Sequence, residues 1–169
     1  MRFPDFLRTA VLLFGGSATA LAVVSIAGAN AKGDVTLLYI AVGWWIAAAL
    51  IGLWIGRRRE VVEGWARLLA EARSSPTLPE LRPGTVILNR LWTLFIFTLL
   101  TGAVAFAVPQ VPAIACGFSI AVGLAWRKQS SAVEAIEGRD GVRFYVETDG
   151  PLKPIKLLRT PGFTRVEPL

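Results

Sequence analysis

Along the 169 residues, apolar positions gather into four charge-free runs instead of periodic stripes. They extend from about Thr9 to Ala29, Val35 to Gly56, Leu91 to Val108 and Val111 to Trp126, and none contains Asp, Glu, Lys or Arg. At 1.5 Å per residue the first two reach about 30 Å, the thickness of a bilayer's hydrocarbon core. The last two are shorter. Span three is therefore expected to begin near residue 88, with Asn89 and Arg90 at headgroup depth, and span four to continue to 128 with Arg127 and Lys128 snorkelling outward. Pro109-Gln110-Val111-Pro112 leaves room only for a tight turn between them, or for a re-entrant hairpin as the alternative. The expected fold class is an all-α membrane protein, with four transmembrane helices in two hairpins (9–29, 35–56, 88–108 and 111–128) within a domain spanning 1–137.

The remaining pattern predicts elements outside the bilayer. Val61, Val62, Trp65, Leu68, Leu69 and Ala72 fall within an arc of about 120° at 100° per residue, so an amphipathic helix is expected over 59–73. Opposite that face Arg59, Glu63, Arg67 and Glu71 alternate in sign at i, i+4 spacing. Its apolar residues read as a contact surface for the membrane or a partner helix. Pro76, Pro79, Pro83 and Gly84 make 74–84 a linker. After span four the helical pattern continues through Ala132, Val133, Ala135 and Ile136, with Gly138 as its terminating glycine. The period then changes to two. Val142, Phe144 and Val146 alternate with Arg143, Tyr145 and Glu147, Asp149-Gly150 supplies a turn, and Ile155 to Arg159 can return as a second strand. The tail 138–169 is thus expected to carry a small β-hairpin. A lone hairpin is marginal in water, so Val142, Phe144 and Val146 are expected to rest on the membrane surface, on helix 59–73, or on another copy or partner.

Charge adds an orientation. Of the eighteen basic residues, seventeen precede span one, lie between spans two and three, or follow span four, and only Lys32 lies elsewhere. By the positive-inside rule both termini and the central loop are cytoplasmic, in the inner membrane of a bacterium. Arg57, Arg58 and Arg59 read as a topology stop that also attracts anionic lipid headgroups. The net charge of +6 needs no nucleic-acid partner, because the basic residues do not interleave with aromatics. Met1 to Arg8 and Ala29-Asn30-Ala31 resemble the ends of a signal peptide, which would remove residues 1–31. The intervening apolar run of about 21 residues is longer than the usual h-region.

Candidate chemistry is sparse. The chain has no histidine, and Cys116 is its one cysteine. Ser17, Thr19, Ser25, Thr98, Thr101 and Ser119 are weak polar groups expected to hydrogen-bond within or between helices. No acidic or basic residue lies mid-membrane, which argues against a proton-coupled carrier. No catalytic residue, metal site or cofactor is expected, nor enzymatic activity.

The positive signal is steric. Ala113, Gly117, Ala121 and Ala125 recur every four residues on span four, as do Ala48, Gly52 and Gly56 on span two. Such rows let helix backbones approach closely, either to close the bundle or to form a homo-oligomer. Trp44 and Trp45 lie mid-span, unlike the interfacial Trp54, Trp92 and Trp126, and are expected to pack the bundle or line an apolar pocket. The function expected is that of an interaction, scaffold or accessory subunit in the membrane, with a homo-oligomeric pore or transporter-like protein lined by the hydroxyls as the alternative.

Overall fold

A computed structural model describes residues 1–57, 64, 67–74, 83–105, 107–147 and 155–161. The chain is mostly helical, with four helices long and apolar enough to cross a membrane and a small sheet. In chain order the elements are α1 (Phe3–Ala31), α2 (Val35–Ile55), β1 (Arg73–Ser74), α3 (Pro83–Val104), α4 (Gln110–Trp126), α5 (Gln129–Asp140), β2 (Val142–Val146) and β3 (Leu157–Pro161).

Helix boundaries follow local chemistry. Gly33, at φ +66°, ends α1 in the left-handed conformation, and the Asp34 carboxylate caps α2 by accepting from the Leu37 amide at 2.9 Å. Span three runs earlier than expected at both ends. Pro83 is favourable in a first helical turn, and Arg90 does not stop the helix because its guanidinium reaches out to the Glu147 carbonyl at 3.3 Å. The helix closes at Val104, just before Ala105, whose carbonyl the Pro109 ring would meet if the helix ran on. Span four breaks at Arg127-Lys128 and resumes as α5. The left-handed glycine that ends α5 is Gly141, at φ +62°; Gly138 lies inside the helix.

Packing does not follow the order of the spans. α4 lies between α1 and α2 and packs along both, whereas α1 and α2, joined by three residues, touch little. α3 leans on α1 and more lightly on α4. The two sequential hairpins therefore describe connectivity and not packing units: small residues on α4 admit both neighbours more closely than α1 and α2 admit each other.

The sheet is larger than a hairpin. β2 and β3 pair antiparallel, with Phe144 opposite Arg159, and β1 adds in parallel to the other side of β3. Arg2 forms a further antiparallel bridge with Tyr145. Ser74, expected in the linker, belongs to β1, and Pro83 and Gly84 open α3; residues 75–82 lie outside the described set. The returning strand is Leu157–Pro161, two residues later than the expected 155–159, which preserves the alternation of side chains.

The reason the sheet is stable is α1. At 1.5 Å per residue its 29 residues reach about 44 Å, roughly 14 Å more than a hydrocarbon core. The surplus lies at its start, where Phe3, Phe6, Leu7 and Ala10 are fully buried among Val133, Val142, Phe144, Val146 and Leu157. Leu69, Val86, Leu91 and Leu94 complete this core. Burying a side chain such as Phe or Leu contributes about 1.5–3 kcal/mol, so this cluster binds sheet, α5 and bundle into one body.

Candidate functional site

Three arrangements in the structure carry the polar and steric information of the sequence. The first is the junction between the start of α1 and the sheet. Arg2 Nη2 donates to Glu137 Oε2 at 2.6 Å, and Glu137 Oε1 accepts from the Phe144 amide at 2.8 Å. The Glu137 side chain is only 5% exposed, so both its oxygens are used where water does not reach. This hydrogen bond raises the Arg2 pKa further above its ordinary value, with desolvation opposing. The Val146 amide donates to the Met1 carbonyl at 3.1 Å, and Arg8 pairs with Glu134 at 2.8 Å one turn from Glu137. The first ten residues are thus stitched to α5 and β2.

The second arrangement is a chain of hydroxyls in the middle of the bundle. Thr98 Oγ1 donates to the Leu94 carbonyl of its own helix at 2.8 Å, so at its 2.6 Å contact with Ser17 it accepts. Ser17 Oγ in turn lies 3.5 Å from Ser119 Oγ. The chain joins α1, α3 and α4, and Ser17 and Ser119 are buried. Cys116 donates its S–H to the Ala18 carbonyl at 3.2 Å. Thr19 and Thr101 bond to carbonyls of their own helices. At the end of the bundle away from the sheet, Ser25 Oγ donates to the Pro109 carbonyl at 3.1 Å and Lys32 Nζ to the Ala107 carbonyl at 2.7 Å. These groups satisfy one another or backbone carbonyls, which suits them to holding helices together.

The third is the contact of α2 with α4. A Cβ placed on Gly52 would lie 2.8 Å from Ala121 Cα, and one on Gly56 would lie 2.8 Å from the Ala125 carbonyl oxygen, so each glycine abuts backbone. Gly117 leaves the space that the Trp44 indole occupies. The Trp44 and Trp45 indoles donate to the Ile114 carbonyl at 3.1 Å and the Ala113 carbonyl at 2.8 Å. The two small-residue rows therefore face each other inside the chain, with the tryptophans fastening the far half of the same interface.

Of the remaining candidate residues, Arg57 is exposed just past the end of α2, while Arg58, Arg59, Val61, Val62 and Trp65 lie outside the described residues. Residues 67–70 are helical, with Leu69 buried and Leu68 packed against the core. Val142, Phe144 and Val146 were expected to meet the membrane surface, helix 59–73 or a partner. They are buried in one core with Leu69 of that stretch, against which Leu68 and Ala72 pack, and with Phe3, Phe6, Leu7 and Ala10 of the chain's own first helix. Phe3, Phe6, Leu7 and Ala10 are the residues that sequence reasoning passed over; their i, i+3, i+4, i+7 spacing was the available signal. Arg2 and Glu137 pair across 135 positions and gave no signal.

Among the described residues, apolar grooves run between the helices, three of them well formed. One of about 370 Å³ is lined by α1, α2 and α4, including Trp45, Cys116 and Ser119. A second of about 420 Å³ lies between α1 and α3. A third of about 390 Å³ lies between α2 and α4. Among the described residues no group of His, Cys, Asp or Glu could hold a metal ion. Compared with known protein families, curated proteins and solved structures, the chain shows no match.

Proposed function

We propose that the protein is an accessory or scaffold subunit of a bacterial inner membrane, with four crossings and both termini in the cytoplasm, working through its sheet module. The observation that carries this reading is the rigid junction of module and bundle. Arg2, Phe3, Phe6 and Leu7 bring the start of a membrane helix into the core of the sheet, so the module's outer surface is held at a fixed place and angle above the bilayer. A surface fixed in this way suits docking of another protein, and Arg143 and Lys156 are exposed on the face of the sheet away from Phe144. The excess of basic residues around the module supports the cytoplasmic orientation.

The test is extraction into native nanodiscs followed by mass spectrometry of the intact particle. A stoichiometric second protein that is lost on replacing Arg143 and Lys156 by Glu is the expected result. Particles holding only this chain, together with solute flux in liposomes, would overturn the reading. Cysteines placed at Lys32 and Arg139 should be labelled by a membrane-impermeant reagent from opposite sides.

A further inference from the structure

We propose that the groove between α2 and α4 seats one anionic phospholipid, its acyl chain along the groove and its headgroup held by Arg57, Arg127 and Lys128. The groove is bounded at mid-bilayer by the edge-to-face pair Trp44–Phe118, whose ring centroids lie 5.7 Å apart, and at the sheet end by Ile55 and Trp126. From Trp44 to Ile55 the rise along α2 is about 16 Å, enough for most of an extended acyl chain. The lining is hydrocarbon and indole, and its volume of about 390 Å³ lies in the range of small-ligand pockets.

What distinguishes this groove from the other two is its mouth. Ile55 is two residues from Arg57, and Trp126 is followed at once by Arg127 and Lys128. All three basic side chains are exposed, at the depth where both helices end. The nearest described carboxylate on α5, Glu134, is already engaged by Arg8. The groove between α1 and α3 is instead lined around Ser17 and Thr98, at the middle of the bundle. Apolar surface leading to a cationic mouth is complementary to an acyl chain under a phosphate. A zwitterionic lipid would bring its own cation to the same three charges. This proposal depends on the bundle and not on the accessory reading, and either stands without the other.

The full-length protein in mild detergent, titrated with phosphatidylglycerol and separately with phosphatidylcholine under native mass spectrometry, tests it. One phosphatidylglycerol should bind in preference to phosphatidylcholine. Each basic residue near an anionic surface is worth about fivefold in affinity, so replacing Arg57, Arg127 and Lys128 together by Ala should weaken binding on the order of a hundredfold. Ile51→Trp, which adds an indole to the partly exposed wall of the groove, should abolish the bound lipid with the charges intact. Equal retention of the two lipids would overturn the proposal. So would unchanged phosphatidylglycerol binding by Ile51→Trp, which would show that charge alone holds the lipid.

Discussion

Replacing Glu137 by Ala isolates the joint between bundle and sheet. Two losses follow. The Phe144 amide, buried and served by Glu137 Oε1 at 2.8 Å, is left without an acceptor, which costs about 1–3 kcal/mol. Arg2 loses its ion pair, but its side chain is 36% exposed and can turn to water, so the cost of breaking a fully buried pair is discounted to about 1 kcal/mol. The expected sum is about 2–4 kcal/mol, concentrated in the sheet. Glu137→Gln separates the two losses, because an amide oxygen still accepts from Phe144 while the charge is gone; it should recover about half. Hydrogen exchange of the full chain in detergent reads this locally: in Glu137→Ala the Phe144 and Val146 amides should exchange faster by roughly 30- to 1,000-fold, with α2 and α4 unchanged. Native protection of the Phe144 amide in Glu137→Ala would refute the reasoning. Equal damage in Ala and Gln would assign the whole effect to charge.

Gly52→Leu drives a side chain into the Ala121 backbone and should cost about 1–3 kcal/mol or more, visible as a lowered midpoint of thermal unfolding; Leu at Gly43, whose surroundings are open, should leave it near the native value. Trp45→Phe keeps most of the ring but loses the indole bond to Ala113, with an expected loss of about 0.6 kcal/mol in the same assay. Ser17→Val removes the middle of the hydroxyl chain and leaves Ser119 without its described neighbour; a loss of about 0.5–2 kcal/mol by unfolding in mixed detergent is expected, and no loss would show that the chain is incidental. Cys116, buried with its S–H on Ala18, should react with a water-soluble maleimide only as fast as the protein unfolds.

What the sequence made legible and what it hid divide along a physical line. Each span could be read because hydrocarbon admits no unpaired charge, so four charge-free runs are themselves the statement of four helices. The same rule says nothing about which helix touches which, since lipid and leucine are equally apolar. Ala48, Gly52, Gly56 and their counterparts on α4 marked two faces suited to close contact, yet periodicity names a face and never its partner. That the two faces meet each other is a property of α4 lying between α1 and α2.

The sheet shows the complementary limit. β2 was legible because five residues alternate, whereas β1 is two residues long and pairs in parallel with a strand more than eighty positions away. Strand signals are local, and a two-residue strand has no period to detect. The largest omission was the start of α1. Its two arginines suggested a flank that ends where the membrane begins, and Phe3, Phe6 and Leu7 were absorbed into that flank, separated from Ala10 inside span one. A helix about 14 Å longer than the hydrocarbon must place its surplus somewhere. The surplus here is apolar on one face, so water is an unfavourable destination for it. Burial in the sheet resolves both problems at once: it covers the projecting turns of α1 and gives a small sheet the helix it needs to pack against.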